Sequence, residues 1–231
     1  MTIADLAAHF PALDSQIPVL IAGPTACGKS TLALQIAKTF GGVVINADAI
    51  QVYGALQILT ARPSMEDERQ VQHLLYGHIT FDHAYSVGQW LREVTPLLHG
   101  GERPIIIGGT GLYFQALTQG LAAIPQISPQ IIARSEQVLA NAGHTALITE
   151  LDAATAARID LHNPMRVQRA WQVLHSTGRG LADWQDATPP PMLRVADSIP
   201  IVFNVARDWL NQRIATRFES MIAEGALDEM R

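Results

Sequence analysis

The sequence is organised around one loop of eight residues, Gly23-Pro24-Thr25-Ala26-Cys27-Gly28-Lys29-Ser30. An apolar run at 19–22 precedes this loop and a helix-forming run at 31–37 follows it, which is the strand, loop and helix order of a P-loop. The glycines let backbone N–H groups form a concave nest, the next helix adds its positive end, and Lys29 adds a point charge. The loop is therefore predicted to bind a di- or triphosphate, as in nucleotide- and ATP-binding proteins, and the Ser30 hydroxyl is a candidate ligand of Mg²⁺.

The composition is that of an ordinary globular protein. The chain has 231 residues, of which 48% are hydrophobic, and a formal net charge of −5. This charge gives no overall field that would attract nucleic acid, so any such binding has to be local. No apolar run is long enough to span a membrane, the N-terminus lacks the order of a signal peptide, and Cys27 is the single cysteine. These features predict a cytoplasmic protein with no membrane partner.

Two further apolar runs end in residues that can carry chemistry. The predicted strand 43–45 leads into Asn46-Ala47-Asp48, and the predicted strand 104–107 leads into Gly108-Gly109-Thr110. The carboxyl ends of parallel strands form the edge of an open α/β sheet at which ligands bind, so Asp48 and Thr110 are expected there beside the P-loop. The predicted fold class is α/β, a P-loop NTPase-like parallel sheet flanked by helices.

The middle of the chain has a different pattern. Between 120 and 194 we identify no strand, and helical patterns near 129–141, 145–151, 153–159 and 163–177 predict an all-helical insertion. A strand pattern returns at 199–205, and a last helix is predicted from 208 to the end of the chain. We therefore divide the chain into a first part of the core at 1–119, with a short helical lead-in at 1–17, the insertion at 120–195, and a final strand and helix at 196–231.

Four blocks together resemble the tRNA dimethylallyltransferases, also called isopentenyl-diphosphate:tRNA transferases. They are GPTACGKST at 23–31, NADAIQVY at 46–53 with LTARP at 59–63, PIIIGGTGLYFQAL at 104–117, and RIDLHNPMRVQRAWQVLHSTGRGL at 158–181. The resemblance implies transfer of a dimethylallyl group from dimethylallyl diphosphate to the exocyclic amine of the adenosine on the 3′ side of a tRNA anticodon. It also implies Mg²⁺, the tRNA anticodon stem-loop as partner and a monomeric enzyme.

The resemblance assigns roles to individual residues. Asp48 matches the general base, Thr110 a threonine on the diphosphate side, and Arg207 an arginine that faces the diphosphate, while residues 23–30 would hold the diphosphate itself. The insertion would grip tRNA. The positions that match its tRNA-contacting residues are Asp48, Ala49, Ile50, Gln51, Met165, Arg166, Val167, Gln168 and Arg169.

The chain departs from the family pattern at several positions. Cys27 and Ala49 stand where the family usually has serine, and a tRNA-contacting arginine aligns near Ile132, with Arg134 the nearest substitute. The sequence stops at Arg231, short of the usual family length, so helices that complete the RNA grip and part of the core are expected to be missing from it.

Each of these residues also has a simpler interpretation. Asp48 could cap the following turn, Thr110 could cap a helix, and Arg166 and Arg169 could form a solvated helix face. Trp171 is expected to be core packing, and the spacing of the eight histidines indicates no zinc site. Besides the prenyl transferase, two alternatives remain from the residues alone: a small-molecule P-loop kinase, and a nonenzymatic remnant that binds diphosphate or RNA.

Overall fold

The computed structural model describes residues 16–230 of the chain. The predicted lead-in helix at 1–17 lies almost entirely outside the described residues. The chain divides into two compact units, one formed by 1–119 with 191–231 and the other by 120–190. Each unit has its own hydrophobic core.

The first unit contains a five-stranded parallel sheet in the order β3-β2-β4-β1-β5. The P-loop lies between β1 and helix α1, so the predicted fold class is confirmed. The strands are β1 (Val19–Ala22), β2 (Val43–Asn46), β3 (His73–Leu74), β4 (Pro104–Gly108) and β5 (Ile199–Val202). The helices of this unit are α1 (Lys29–Phe40), α2 (Met65–Gln70), α3 (Val87–Leu97), α4 (Gly111–Gln119) and α10 (Arg207–Ala223).

Strands β1, β2 and β4 bury side chains on both faces, because helices cover the sheet on each side, whereas the edge strand β5 exposes Pro200 and Val202. In β4, Ile105 and Ile107 belong to one core cluster and Ile106 to the other, which follows from the two-residue period of a strand. The first cluster includes the buried face of α1, and the second includes α3 and α4. This arrangement fixes the strand ends, and with them the loops that carry the candidate site.

The second unit is helical, in agreement with the predicted absence of strands. Its helices are α5 (Pro129–Ala142), α6 (His144–Ile148), α7 (Ala153–Arg158), α8 (Pro164–Thr177) and α9 (Leu181–Asp186). Leu147, Val167 and Trp171 form its buried core. The prediction that Trp171 packs in a core is confirmed, since its side chain is fully buried.

The structure differs from the sequence-based prediction at several element boundaries. Strand β3 and helix α9 were not predicted, because two and six residues are too short for a periodic pattern to be visible. Strand β5 ends at Val202 instead of 205. Helix α10 ends at Ala223, before Gly225, whose φ of 97° is left-handed, and turns follow up to residue 230.

Candidate active site

The P-loop has the backbone shape that the motif predicts. Ala26 and Gly28 both have positive φ, 58° and 100°, and α1 begins directly after them at Lys29. None of the described side chains caps this helix, so its first N–H groups remain directed at the loop. The Lys29 ammonium donates to the Pro24 carbonyl at 2.6 Å, which folds the lysine back over the loop. The result is a concave surface of N–H donors with a cation at its rim.

Cys27 lies inside this loop and is buried. Its side chain is 5% exposed, and its Sγ lies 3.9 Å from Nζ of Lys29. A side chain at position 23 would come within 3.1 Å of this sulfur and 2.7 Å of Phe203, so Gly23 leaves the space that Cys27 fills. Cys27 is therefore almost fully enclosed by the loop, although it is one of the residues that line the cavity described below.

The ends of β2 and β4 bring Asp48 and Thr110 together, as expected for neighbouring parallel strands. Gly108 makes this possible, since a Cβ at this position would lie 2.0 Å from the Ala47 carbonyl oxygen. The Thr110 hydroxyl accepts the Ala49 N–H at 2.9 Å. Asn46 stabilises the backbone after β2, because its Oδ1 accepts the Asp48 N–H at 2.8 Å.

Asp48 also caps the turn that follows it. Its Oδ1 accepts the Ile50 N–H at 3.0 Å, whereas a side chain at position 109 would lie 3.5 Å from its Oδ2. One carboxylate oxygen thus orients the side chain and the other faces the glycine turn after β4. Turn capping and a chemical role are compatible in this geometry.

Two cations lie within electrostatic range of Asp48. Burial lowers the pKa of Lys29, and electrostatic interactions with the neighbouring Cys27 and Asp48 oppose this shift. Burial likewise lowers the pKa of Arg217, and Asp48 again opposes it. The carboxylate and both cations therefore belong to one charged cluster, in which a negative ligand would further stabilise the cations.

A cavity of about 850 Å³ opens above the P-loop. Residues 26–31 form its floor, residues 61–63 and Tyr76 line one side, and α10 lines another. Its volume is within the range of small-molecule sites. The cavity therefore offers room for a phosphorylated ligand in contact with the loop and the cations.

Helix α10 supplies the arginines of this cavity. The Arg213 Nε donates to the Ala26 carbonyl at 2.9 Å, and the Arg217 Nη1 donates to the Thr25 hydroxyl at 3.4 Å. These residues are four apart and therefore on one helix face. Arg207, the residue inferred from the resemblance, is exposed at the start of α10 and is not among the residues that line the cavity.

The sequence analysis missed Arg213 and Arg217. The signal that could have found them is the Arg-x-x-x-Arg spacing in the last helix, which places two cations on one side. Their hydrogen-bond partners in the P-loop precede them by 187 positions for Arg213 and 192 positions for Arg217. The sequence gives no direct sign of such distant pairings.

The segments that the resemblance predicts to contact RNA are only partly accessible. In the first unit Ile50 is 59% exposed, and the Gln51 amide donates to the carbonyls of Thr60 and Ala61 at 2.9 and 2.8 Å. In the second unit Asn163 caps α8 by accepting the N–H groups of Met165 and Arg166. Cap and turn hydrogen bonds thus hold both segments in defined conformations.

Two residues of the segment 165–169 do not reach the surface. Val167 is fully buried, and the buried Gln168 donates its amide to the Ser135 hydroxyl at 3.0 Å. Helical geometry turns this face inward, so these two side chains stabilise the unit. The residues of the segment that a nucleic acid could reach are Met165, Arg166 and Arg169.

The described residues contain no cluster of three or more His, Cys, Asp or Glu side chains that could hold a metal ion by itself. The exposed Ser30 hydroxyl lies at the start of α1, and such a hard oxygen is a ligand type that Mg²⁺ accepts. Because Mg²⁺ keeps several water or phosphate ligands, one serine beside a diphosphate site fits this ion. Between residues 16 and 230, no helix has the length and hydropathy needed to cross a membrane.

Comparison with known proteins identifies the same family as the sequence blocks. A family model described as IPP transferase matches residues 51–231, and one described as isopentenyl transferase matches residues 17–78. The tRNA dimethylallyltransferase of Cereibacter sphaeroides (strain ATCC 17029 / ATH 2.4.9) is 55% identical over 96% of this chain and 70% of its own length. That of Ruegeria sp. (strain TM1040) is 56% identical over 93% of this chain and 73% of its own length.

Solved structures agree in fold. A eukaryotic dimethylallyltransferase acting on tRNA matches with a TM-score of 0.78 and 25% identity, over 93% of this chain and 55% of that chain. The tRNA isopentenylpyrophosphate transferase of Bacillus halodurans matches with a TM-score of 0.59 and 30% identity, over 93% of this chain and 69% of that chain. On the strength of these matches and of the P-loop site, the chain belongs to the tRNA dimethylallyltransferase family.

Proposed function

We propose that this chain transfers a dimethylallyl group from dimethylallyl diphosphate to the exocyclic amine of the adenosine 3′ to a tRNA anticodon, and releases diphosphate. The observation that carries the proposal is the cavity above the P-loop, in which Lys29 and Arg217 lie within electrostatic range of Asp48. A phosphate site and a carboxylate at one edge of the sheet are what a transfer from a diphosphate to an amine requires. The family membership favours this function over a small-molecule kinase.

The donor side is built to stabilise a leaving diphosphate. The diphosphate binds to the backbone N–H groups of the loop 23–30, to which Pro24 contributes none, and Lys29, Arg213 and Arg217 neutralise its charge. As the bond between the allylic carbon and the diphosphate oxygen breaks, negative charge grows on that oxygen, and preoriented cations and amides stabilise it. Arg207, which does not line the cavity, remains a prediction from the resemblance.

The acceptor side needs a base. The adenine amine attacks the allylic carbon with the electron pair of its nitrogen, the new C–N bond forms, and the nitrogen becomes positively charged. Asp48 then takes one proton from this nitrogen, which restores a neutral amine. The Ile50 N–H fixes one oxygen of Asp48, and we assign proton transfer to Oδ2, on the side of the Gly109 turn. Thr110 positions this segment through the Ala49 N–H.

Mg²⁺ would be held by Ser30 together with oxygens of the diphosphate, and it would add positive charge where the leaving group develops negative charge. The segment 48–51, with Asp48, Ala49, Ile50 and Gln51, and the exposed residues of 165–169 would contact the anticodon stem-loop. The target adenosine has to leave the stack of the loop to reach Asp48. We propose that residues 120–195 grip the RNA, and that the chain acts as a monomer in the cytoplasm.

The test is mass spectrometry of nucleosides from tRNA incubated with the protein, dimethylallyl diphosphate and Mg²⁺. The expected product is one adenosine per susceptible tRNA, heavier by one dimethylallyl group in place of one hydrogen. A parallel incubation with ATP and small-molecule acceptors tests the kinase alternative. Unmodified tRNA together with a phosphorylated acceptor would overturn the proposal.

A further inference from the structure

An exposed aromatic ring lies beside the segment that we propose contacts RNA. The Phe81 side chain is 68% exposed, and its ring centroid lies 5.6 Å from that of the half-buried Tyr53, with the ring planes tilted by 51°. Aromatic pairs at this distance support one another. Because Tyr53 supports the Phe81 ring and the ring is otherwise exposed to solvent, one ring face remains available for stacking with a flat partner.

The backbone holds this pair in place. Three hydrogen bonds of 2.9 Å join the chain around Tyr53 to the chain before Phe81: Gly54 N–H to Ile79 O, Ile79 N–H to Val52 O, and Gly77 N–H to Gln51 O. A turn closed by the His83 N–H and the Thr80 carbonyl then presents Phe81. The ring therefore projects from an ordered segment, and ordering it on binding costs little conformational entropy.

The aromatic pair is continuous with the acceptor side of the site. Tyr53 lies five positions after Asp48 on the same connected segment. Burial, together with electrostatic interactions with Tyr53 and Asp48, raises the pKa of the Tyr113 hydroxyl to about 12. Tyr53 thus connects Phe81 to the segment that carries the proposed base.

We infer that Phe81, supported by Tyr53, is a stacking platform for an unpaired base of the anticodon loop next to the modified adenosine. This inference rests on the proposed function. Taking the adenosine out of the loop deprives its neighbour of a stacking partner, and an aromatic side chain can replace that partner. Asp82, next to Phe81, disfavours a phosphate at this position, so the contact is to the base and not to the backbone.

The test uses the full chain and a synthetic anticodon stem-loop hairpin, with binding measured by fluorescence anisotropy at several salt concentrations. Phe81→Ala is expected to raise the Kd by about 5- to 150-fold, the range for removal of one base stack. Phe81→Trp should restore the affinity, whereas Phe81→Leu, which is apolar but cannot stack, should not. The salt dependence of binding should stay the same, because the variants leave every phosphate interaction in place.

The matched control is Phe218→Ala, which removes a similarly exposed phenylalanine (57%) from α10. It should leave the Kd for the hairpin unchanged. Thermal melting of each variant verifies folding. A Kd for Phe81→Ala within twofold of the parent value, or full binding by Phe81→Leu, would overturn the stacking platform. Prenylation of tRNA by the parent protein would still support the proposed function in that case. A parent chain that neither binds nor prenylates the RNA would overturn both.

Discussion

Asp48 combines two roles because its two oxygens have different surroundings. Oδ1 is held by the Ile50 N–H, which fixes the rotamer of the side chain, and we assign the proton transfer to Oδ2. The variant Asp48→Asn keeps an oxygen for the turn and removes the base. It should lower the prenylation rate by a factor on the order of 10²–10⁴ and leave the Kd for dimethylallyl diphosphate nearly unchanged. Turnover within a few-fold of the parent protein would show that another group accepts the proton.

Arg217 and Arg207 provide a comparison between the structure and the resemblance. Arg217 lines the cavity and is half-buried, whereas Arg207 is exposed. Removal of a charged hydrogen-bond partner costs roughly 1.5–3 kcal/mol, so Arg217→Ala should raise the Kd for dimethylallyl diphosphate about 10- to 150-fold. Arg207→Ala is expected to change it less than twofold. Isothermal titration calorimetry of both variants measures these Kd values. A larger effect of Arg207→Ala would indicate that Arg207, as the resemblance implies, is the arginine that contacts the diphosphate.

At the scale of elements, α8 presents a basic edge next to a buried one. Arg166 and Arg169 are exposed, and Val167 lies in the core of the second unit. Replacing both arginines by alanine should weaken binding of the anticodon stem-loop and lower the slope of log K against log salt by roughly one unit for each phosphate that is no longer neutralised. The affinity for dimethylallyl diphosphate should not change. An unchanged salt slope would mean that the two arginines form a solvent-exposed helix face and do not contact the RNA.

The segment after α10 anchors the loop 57–59 through Glu229. The carboxylate accepts the N–H groups of Gln57, Ile58 and Leu59, with 2.9 and 3.0 Å from Ile58 and 3.0 Å from Leu59. Burial acts to raise the pKa of Glu229, but these N–H groups and Arg62 outweigh it, so the pKa lies below its usual value. The carboxylate therefore stabilises the fold above the unfolded pKa of about 4.3, and this contribution is lost as the pH falls through the folded pKa.

Glu229→Gln is accordingly expected to reduce the free energy of unfolding at pH 7 by about 1 kcal/mol, the cost of losing a backbone cap. The difference from the parent protein should shrink as the pH falls below about 4. Urea unfolding at several pH values measures it, with Glu219→Gln, an exposed residue of α10, as the control. A difference that does not depend on pH would contradict the charged cap.

Local motifs made part of this site predictable. The P-loop and the strand ends at Asp48 and Thr110 are short patterns whose chemistry depends on neighbouring residues, so the sequence contains them directly. The hydrogen bonds of Arg213, Arg217 and Glu229 close loops of more than 170 residues, and these pairings depend on the tertiary fold. The inward orientation of Gln168 follows from its partner Ser135 on α5, which periodicity alone could not identify.

At the scale of the whole molecule, charge is distributed unevenly. The chain has a net charge of −5, although Lys29, Arg213 and Arg217 lie together at the cavity. Without a ligand these cations repel one another across the cavity. An anion with several charges should therefore bind tightly and stabilise this unit by occupying the site that the cations surround.

Diphosphate is consequently expected to raise the melting temperature of the protein. At a concentration 100-fold above its Kd, the linkage relation predicts about 2.7 kcal/mol of additional stability, which differential scanning calorimetry can resolve. Lys29→Ala should remove most of this shift, because it deletes a cation at the rim of the loop. Lys38→Ala, which changes the only other lysine and lies in the last turn of the same helix α1, should retain it. Equal shifts for the two variants would mean that diphosphate binds through net charge elsewhere on the surface and not at the P-loop.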